Sequence, residues 1–479
     1  MSVYIHRIET AVPSKSYDQS FIGELMQEHV SERTALRRVI RSVYQRCGIE
    51  KRHSVVRDFE ENGGDSLFFS TNGERKPSPD TRVRNAIYTR EARKLFYQTG
   101  NRLLQGSTTF SKEDITHLIT VSCTGFFAPG PDYYLIRDLG LNKTIERYHI
   151  GFMGCYAAFQ GLKMAHSICM ARPEAVVMVI CVELCTLHLR FSDDTDSIIA
   201  SSVFADGGAG VLVSSRKPGF PGPNEKPGSR ATGQPNTPQT EQNERSKELN
   251  HKARELNDGS AEKPGFQTAG QPDHDGNPES HNQIPLEMIS FHSDLTSEGE
   301  QDMAWTIGNE GFIMKLSTYV PDIIRSNIAP ALERILKSAG ISREQLSEWA
   351  IHPGGRAILD NIQHALDLND SQMEASRHVL AKYGNMSSAT ILFVLKQLVE
   401  EAPDGTARPT RKQADLSASG QRTETRNEQS GKAEQSVKAN GSGNNKILFA
   451  MSFGPGLTIE TGLFRKAIQD AGPADPPIL

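Results

Sequence analysis

The stretch Gly151-Phe152-Met153-Gly154-Cys155-Tyr156-Ala157-Ala158 sets one cysteine between a glycine and the small residues that open a long apolar helix. A thiol there meets the positive end of a helix dipole and backbone N–H groups that have no helical partner. Both favour thiolate over thiol and make Cys155 a candidate nucleophile, set against the ordinary alternative of a buried structural cysteine. Two later stretches join it. Trp349-Ala350-Ile351-His352-Pro353-Gly354-Gly355 predicts a short buried strand ending in a histidine and a turn. Tyr383-Gly384-Asn385-Met386-Ser387-Ser388-Ala389 predicts a turn that feeds an apolar helix from Thr390 to Leu395. Either polar residue alone is usually a cap or a satisfied core group. Cysteine, histidine and asparagine together, widely spaced and in that order, suit acyl-thioester chemistry.

Around these stretches the chain alternates predicted helix and strand, the pattern of an α/β fold. Leu118-Ile119-Thr120-Val121 and Val176-Val177-Met178-Val179-Ile180 lack polar alternation, which predicts strands buried on both faces. Residues 215–282 are rich in Pro, Gly, Asn, Gln, Glu and Ser, with Phe220 and Phe266 as their aromatics, and residues 403–445 have none. Neither stretch can bury enough apolar surface to offset its ordering entropy, so both are expected to be disordered insertions. The expected organisation is therefore 1–214 with the cysteine, insertion 215–282, then 283–402 with the histidine and asparagine. Insertion 403–445 follows, and 446–479 closes the second half.

The net charge of −5 over 479 residues suggests no nucleic-acid partner. There is no N-terminal signal pattern, and the longest apolar run, Ala175 to Leu184, contains Glu183 and is too short to span a membrane. The six cysteines show no C-x-x-C pair and no metal-ligand spacing, which suits reduced thiols in a cytoplasmic protein without a metal site.

The same landmarks carry a family resemblance. Ser122-Cys123-Thr124-Gly125 through Pro129-Gly130 and Asp132-Tyr133, Gly154-Cys155, Val203-Phe204-Ala205-Asp206-Gly207-Gly208-Ala209, Ile351-His352-Pro353-Gly354-Gly355, Gly384-Asn385-Met386-Ser387-Ser388 and Phe453-Gly454-Pro455-Gly456-Leu457-Thr458 stand in register. In these the chain resembles the type III polyketide synthases, the chalcone synthase-like branch of the thiolase superfamily. The resemblance implies a thiolase-like fold of two similar halves in α-β-α-β-α layers, although no duplication is visible in the sequence. It implies a homodimer and two CoA thioester substrates, malonyl-CoA and a starter acyl-CoA, with no further cofactor. Cys155 would carry the acyl chain, its thiolate held by the helix start and a His352 imidazolium. His352 and Asn385 would face the oxygen that gains charge as malonyl loses carbon dioxide.

The resemblance also places Phe204 as a gatekeeper of the condensation cavity and Met314 where plant members carry a second gatekeeper phenylalanine. Cys123, Cys185, His188, Trp305 and Ser387 fall near cavity-lining positions, and Trp305 would either shrink that cavity or sit in the core. Ala128 stands where plant members place a methionine across the dimer interface. Arg46, with Arg41 and Arg38 as neighbours on a helix from Arg33 to Arg46, is expected at the CoA phosphates. The cavity substitutions favour a resorcinol, phloroglucinol or pyrone-type product over a chalcone. Two alternatives stay open: a ketoacyl synthase III-like enzyme using acyl-carrier protein, and a non-catalytic homologue that binds a partner through its insertions.

Overall fold

The computed structural model describes residues 1–30, 33–59, 66–68, 76–219, 282–400 and 446–467, all within one structural unit. Residues 220–281 and 401–445, the bulk of the two stretches read as disordered insertions, lie outside the described residues. The first half runs β1 (Val3–Ala11), β2 (Ser16–Asp18), α1 (Gln19–Val30), α2 (Thr34–Arg46), β3 (Lys51–His53), α3 (Thr81–Gly106), β4 (His117–Ser122), α4 (Pro131–Leu139), β5 (Glu146–Gly151), α5 (Ala157–Ala171), β6 (Val176–Leu184), α6 (Thr195–Val203) and β7 (Asp206–Ser214). The second runs β8 (Leu286–Leu295), β9 (Met303–Gly308), β10 (Gly311–Leu316), α7 (Val320–Ala339), β11 (Leu346–Ile351), α8 (Arg356–Ala365), α9 (Asp370–Tyr383), α10 (Thr390–Val399), β12 (Ile447–Gly454) and β13 (Thr458–Lys466).

Nine strands form one sheet in the order β11-β12-β13-β8-β1-β7-β6-β4-β5. That order is a duplication. From β1 outward the pairing is antiparallel to β7, antiparallel to β6, then parallel to β4. From β8 outward it is antiparallel to β13, antiparallel to β12, then parallel to β11. The two halves meet where β1 and β8 pair antiparallel through Val3↔Met288, Tyr4↔Glu287 and Ile5↔Leu286. Among the described residues the first half alone extends further, to β5.

Strand periodicity explains the layering. Every residue of β6 is buried. Val177, Val179 and Cys181 pack with α5 and α10, while Val176, Met178, Ile180 and Val182 pack with α3 on the opposite face. β12 does the same: Leu448 and Ala450 face the central helices, and Ile447, Phe449 and Met451 face α7 and α8. A strand covered by helices on both faces has no use for polar alternation, which is why these runs are continuously apolar. The result is the five-layered order α-β-α-β-α. The outer helix α3 starts at Asp80, whose Oδ1 accepts the Val83 N–H at 2.8 Å. Among the described residues no helix is long and apolar enough to cross a membrane.

The duplication also places the site. Loops after β4 and β11 carry Cys123 and His352, and the starts of the central helices α5 and α10 are preceded by Cys155 and by Asn385 to Ser388. Four corresponding points of two halves converge on one place.

Candidate active site

Cys155 lies in the connection from β5 to α5, where Phe152 (φ 60°) and Gly154 (φ 80°) are both left-handed. A Cβ at Gly154 would stand 2.4 Å from Pro455 Cδ, so glycine is required for this turn to seat on the Gly454-Pro455-Gly456 loop. Two separate sequence motifs are thus the two sides of one contact.

Asn385 is clamped through its backbone. Its N–H donates to Val203 O and its carbonyl accepts from Ala205 N–H, each at 2.9 Å, so Phe204 is held beside it. Its Oδ1 accepts the Ser387 N–H at 2.9 Å, and its Nδ2 donates to Gly354 O at 3.3 Å. The amide therefore turns its donor end toward the His352–Gly354 turn. His352 is anchored by its N–H to Met451 O at 2.9 Å. Its ring is buried, and neither ring nitrogen has a hydrogen-bond partner.

Cys155, His352 and Asn385 line one cavity of about 30 Å3, with Cys123, Phe204, Trp305, Met314 and Ser387. Burial pushes the Cys155 thiol up to about 12, although contacts with Ser387 and Asn385 favour its thiolate. Burial also holds His352 down at about 3. Burial thus opposes the thiolate–imidazolium pair that the helix start favours, while the Ser387 and Asn385 contacts work for the thiolate.

Directly beneath lies Glu183, a fully buried carboxylate that sequence reasoning used only to argue against a membrane span. It accepts from Cys123 N–H and Thr124 Oγ1, both at 2.9 Å, and from Ser388 Oγ. It thereby ties the loop after β4 in the first half to the turn before α10 in the second. Burial raises its pKa. Cys123 Sγ and Ser387 Oγ, one step above, lie 3.5 Å apart. The signal in the sequence was a lone acid in an otherwise apolar strand.

Three cavities form a series. An outer pocket of about 350 Å3 includes Arg46, Val43, Ser317 and Arg356 and shares Leu316, Gly354 and Ile358 with the catalytic cavity. On the inner side an end chamber of about 40 Å3 shares Phe204, Trp305 and Met314 with the catalytic cavity and is lined by Cys185 and His188. Trp305 is thus neither core nor simple cavity wall but part of a partition. Its Nε1 donates to Cys123 O at 2.8 Å, and Met314 stands opposite it across the β9–β10 hairpin. His188 is a wall and not a ligand-facing donor: Nε2 donates to Thr124 O at 2.7 Å and Nδ1 accepts the Phe312 N–H at 2.9 Å. Its ring stacks on Phe312 at 4.3 Å and meets Trp305 edge-on.

Arg38 and Arg41 do not reach the outer pocket, correcting the expectation that they flank Arg46 there. They line a separate groove between α1 and α2 with Glu24, Gln27 and Tyr44. Helical spacing decides this: Val43 and Arg46 share one face, whereas Arg38, Arg41 and Gln45 share another. The second arginine of the outer pocket is Arg356 at the start of α8, next to the His352–Gly355 turn.

Buried neutral histidines give a pH signature. His6, His188 and His352 are held near 4, 4 and 3 by burial, below the ordinary 6.5. The unfolded chain binds these protons below pH 6.5 while the folded chain does not, so stability present above that pH is lost as pH falls toward 4. Urea unfolding between pH 7 and 4.5 is expected to show net proton uptake on unfolding, and about one proton less in His352→Gln. A pH-independent midpoint would sink this account.

The sequence profile of chalcone and stilbene synthases matches residues 2–217 through its N-terminal domain and 287–416 through its C-terminal domain. The chain belongs to the chalcone and stilbene synthase family. This family is that of the type III polyketide synthases, and the chain is accordingly an acyltransferase-type enzyme. The type III polyketide synthase described here is 25% identical over 406 residues to "Alpha-pyrone synthesis polyketide synthase-like Pks18" of Mycobacterium tuberculosis, covering 85% of this chain and 86% of that one. It is 26% identical over 397 residues to "Probable polyketide synthase 1" of Dictyostelium discoideum, covering 82% of this chain. It spans only 10% of the length of that relative. Its fold is that of the C-terminal type III polyketide synthase domain of Steely1 from Dictyostelium, with a TM-score of 0.70 at 22% identity, covering 98% of this chain and 100% of that one.

Proposed function

We propose that this type III polyketide synthase loads an acyl group from a starter acyl-CoA onto Cys155, extends it with malonyl-CoA, and cyclises it to a resorcinol, phloroglucinol or pyrone-type product. The observation that carries this is the series of outer pocket, catalytic cavity and end chamber, with Cys155, His352 and Asn385 in the middle member. The diphosphate of CoA meets Arg46 and Arg356 at the outer pocket. On substrate entry His352 takes the Cys155 proton through a ring nitrogen that has no other partner. Sγ attacks the thioester carbonyl, and CoA leaves as a thiol with that proton. Malonyl-CoA then loses carbon dioxide, and the negative charge on its thioester oxygen is met by His352 and Asn385 Nδ2. The enolate carbon attacks the Cys155 thioester, forming the C–C bond and breaking C–S. No base stronger than imidazole and no cofactor besides the CoA thioesters enters this scheme.

The name of the mycobacterial relative supports a pyrone-forming route. The six unpaired cysteines suit a cytoplasmic enzyme. A homodimer has support in β5, an end strand with one hydrogen-bonded neighbour and an exposed outer side that includes Tyr148.

The test is mass spectrometry of products from the purified protein with malonyl-CoA, alone and with a panel of starters. An aromatic or pyrone product establishes the reading, and turnover with malonyl-carrier protein alone would replace it. Trp305 sets the size of that product. The catalytic cavity holds a few waters at most, and Trp305 is pinned while Met314 is free to change rotamer. Trp305→Gly is expected to merge the catalytic cavity with the end chamber and shift the product profile by at least one extension unit or toward longer starters. An unchanged profile would remove Trp305 from the partition.

A further inference from the structure

The end chamber differs chemically from the catalytic cavity. Among the described residues two arginines, Arg52 and Arg190, line it, and no carboxylate does. Arg52 is 4% exposed. Its Nη1 donates to Ser201 O at 2.8 Å and Phe204 O at 2.6 Å, which ties it to the end of α6 and to the partition. Its Nε is buried with no partner. Among the described residues neither arginine has a carboxylate at ion-pair distance, and the half-buried Arg190 guanidinium has no hydrogen-bond partner either.

An arginine does not shed its proton; Arg52 is balanced in part by the buried Asp206 carboxylate, which leaves Arg190 as the cation without a counter-charge among the described residues. Several other polar groups of the chamber are already committed. Thr186 Oγ1 donates to Asp206 Oδ2 at 2.6 Å, Ser54 Oγ accepts the Val56 N–H at 2.9 Å, and His188 uses both ring nitrogens. The guanidinium N–H groups and the Ser197 hydroxyl are what remain to meet a ligand, and the forked guanidinium geometry matches a carboxylate. Ile22, Phe59 and Leu189 supply apolar wall around them.

We propose that the end chamber receives a carboxylate at the far end of the acyl chain, so that the preferred starter is the CoA half-thioester of a dicarboxylic acid. This rests on the reading that Cys155 carries the acyl group and that the chain runs past Phe204, Trp305 and Met314. Arg190 supplies the principal contact, and Arg52 contributes its charge while holding Phe204 in place.

The test compares adipoyl-CoA with hexanoyl-CoA, equal in chain length and different only at the tip, as starters for the full chain with malonyl-CoA. The expected ratio of kcat/KM favours adipoyl-CoA by about ten- to a hundredfold. Arg190→Met is expected to bring that ratio to about one. Arg190→Lys, which keeps the charge, retains part of the preference, an outcome that loss of structure alone would not give. Equal or better use of hexanoyl-CoA, or a ratio unmoved by Arg190→Met, overturns the proposal while leaving the polyketide synthase reading intact. Should neither starter be turned over, calorimetry with Cys155→Ala decides. Tighter binding of adipoyl-CoA than hexanoyl-CoA that is lost in Cys155→Ala/Arg190→Met supports the chamber, and equal binding refutes it.

Discussion

Cys155→Ala abolishes starter loading and product formation, a loss of at least about ten-thousandfold, because no other thiol in the cavity can replace it. Cys123 is the nearest candidate, and burial and the neighbouring Glu183 carboxylate push its thiol well above the ordinary range. Decarboxylation of malonyl-CoA needs only the oxygen contacts of His352 and Asn385, so the alanine variant retains measurable release of carbon dioxide. Asn385→Ala gives the complementary result. It loads starter on Cys155, seen as a mass shift of the intact protein, while decarboxylation falls about a hundred- to a thousandfold. Parental decarboxylation in Asn385→Ala would show that Nδ2 is not aimed at the reacting oxygen.

Glu183→Ala is expected to cost about 4 kcal/mol or more of stability. It leaves Cys123 N–H, Thr124 Oγ1 and Ser388 Oγ as buried donors without an acceptor, each typically costing about 1–3 kcal/mol. It also opens a void between the halves. Glu183→Gln is milder, since it keeps the shape and an acceptor oxygen. Because burial raises the Glu183 pKa, the folded chain holds that proton more tightly than the unfolded chain. The resulting stability is complete below the ordinary carboxylate range and is lost as pH rises through the folded pKa, so the penalty of Glu183→Gln shrinks with rising pH. Urea titrations of the three proteins at two pH values measure all of this. An unchanged midpoint for Glu183→Ala would mean that the two halves do not depend on this carboxylate.

Much of the site was legible because its residues sit at element ends, where local signals are strongest. A glycine before Cys155, a strand closing on His352 and a turn before Thr390 are short-range patterns, and each predicted element formed where expected. The arginines of α2 were less legible. A run of cations on a helix names the helix, but which face meets a ligand depends on what packs against it. Arg46 reaches the outer pocket, Arg38 and Arg41 turn to α1, and Arg356 joins from a part of the chain that shows no charge cluster. The balance acting on the nucleophile was legible only in part, since a helix start favours thiolate while the burial that opposes it is seen only in the structure.

The sequence by itself determined the α/β class, the strands buried on both faces and the placing of Cys155, His352 and Asn385 at element ends, because apolar periodicity and turn chemistry act over a few residues. The tertiary structure alone decided the duplication, the Glu183 bridge and the order of the three cavities. Each of these depends on contacts between residues far apart in the chain. Those contacts are fixed when the two half-sheets close on α5 and α10, and no local pattern encodes them.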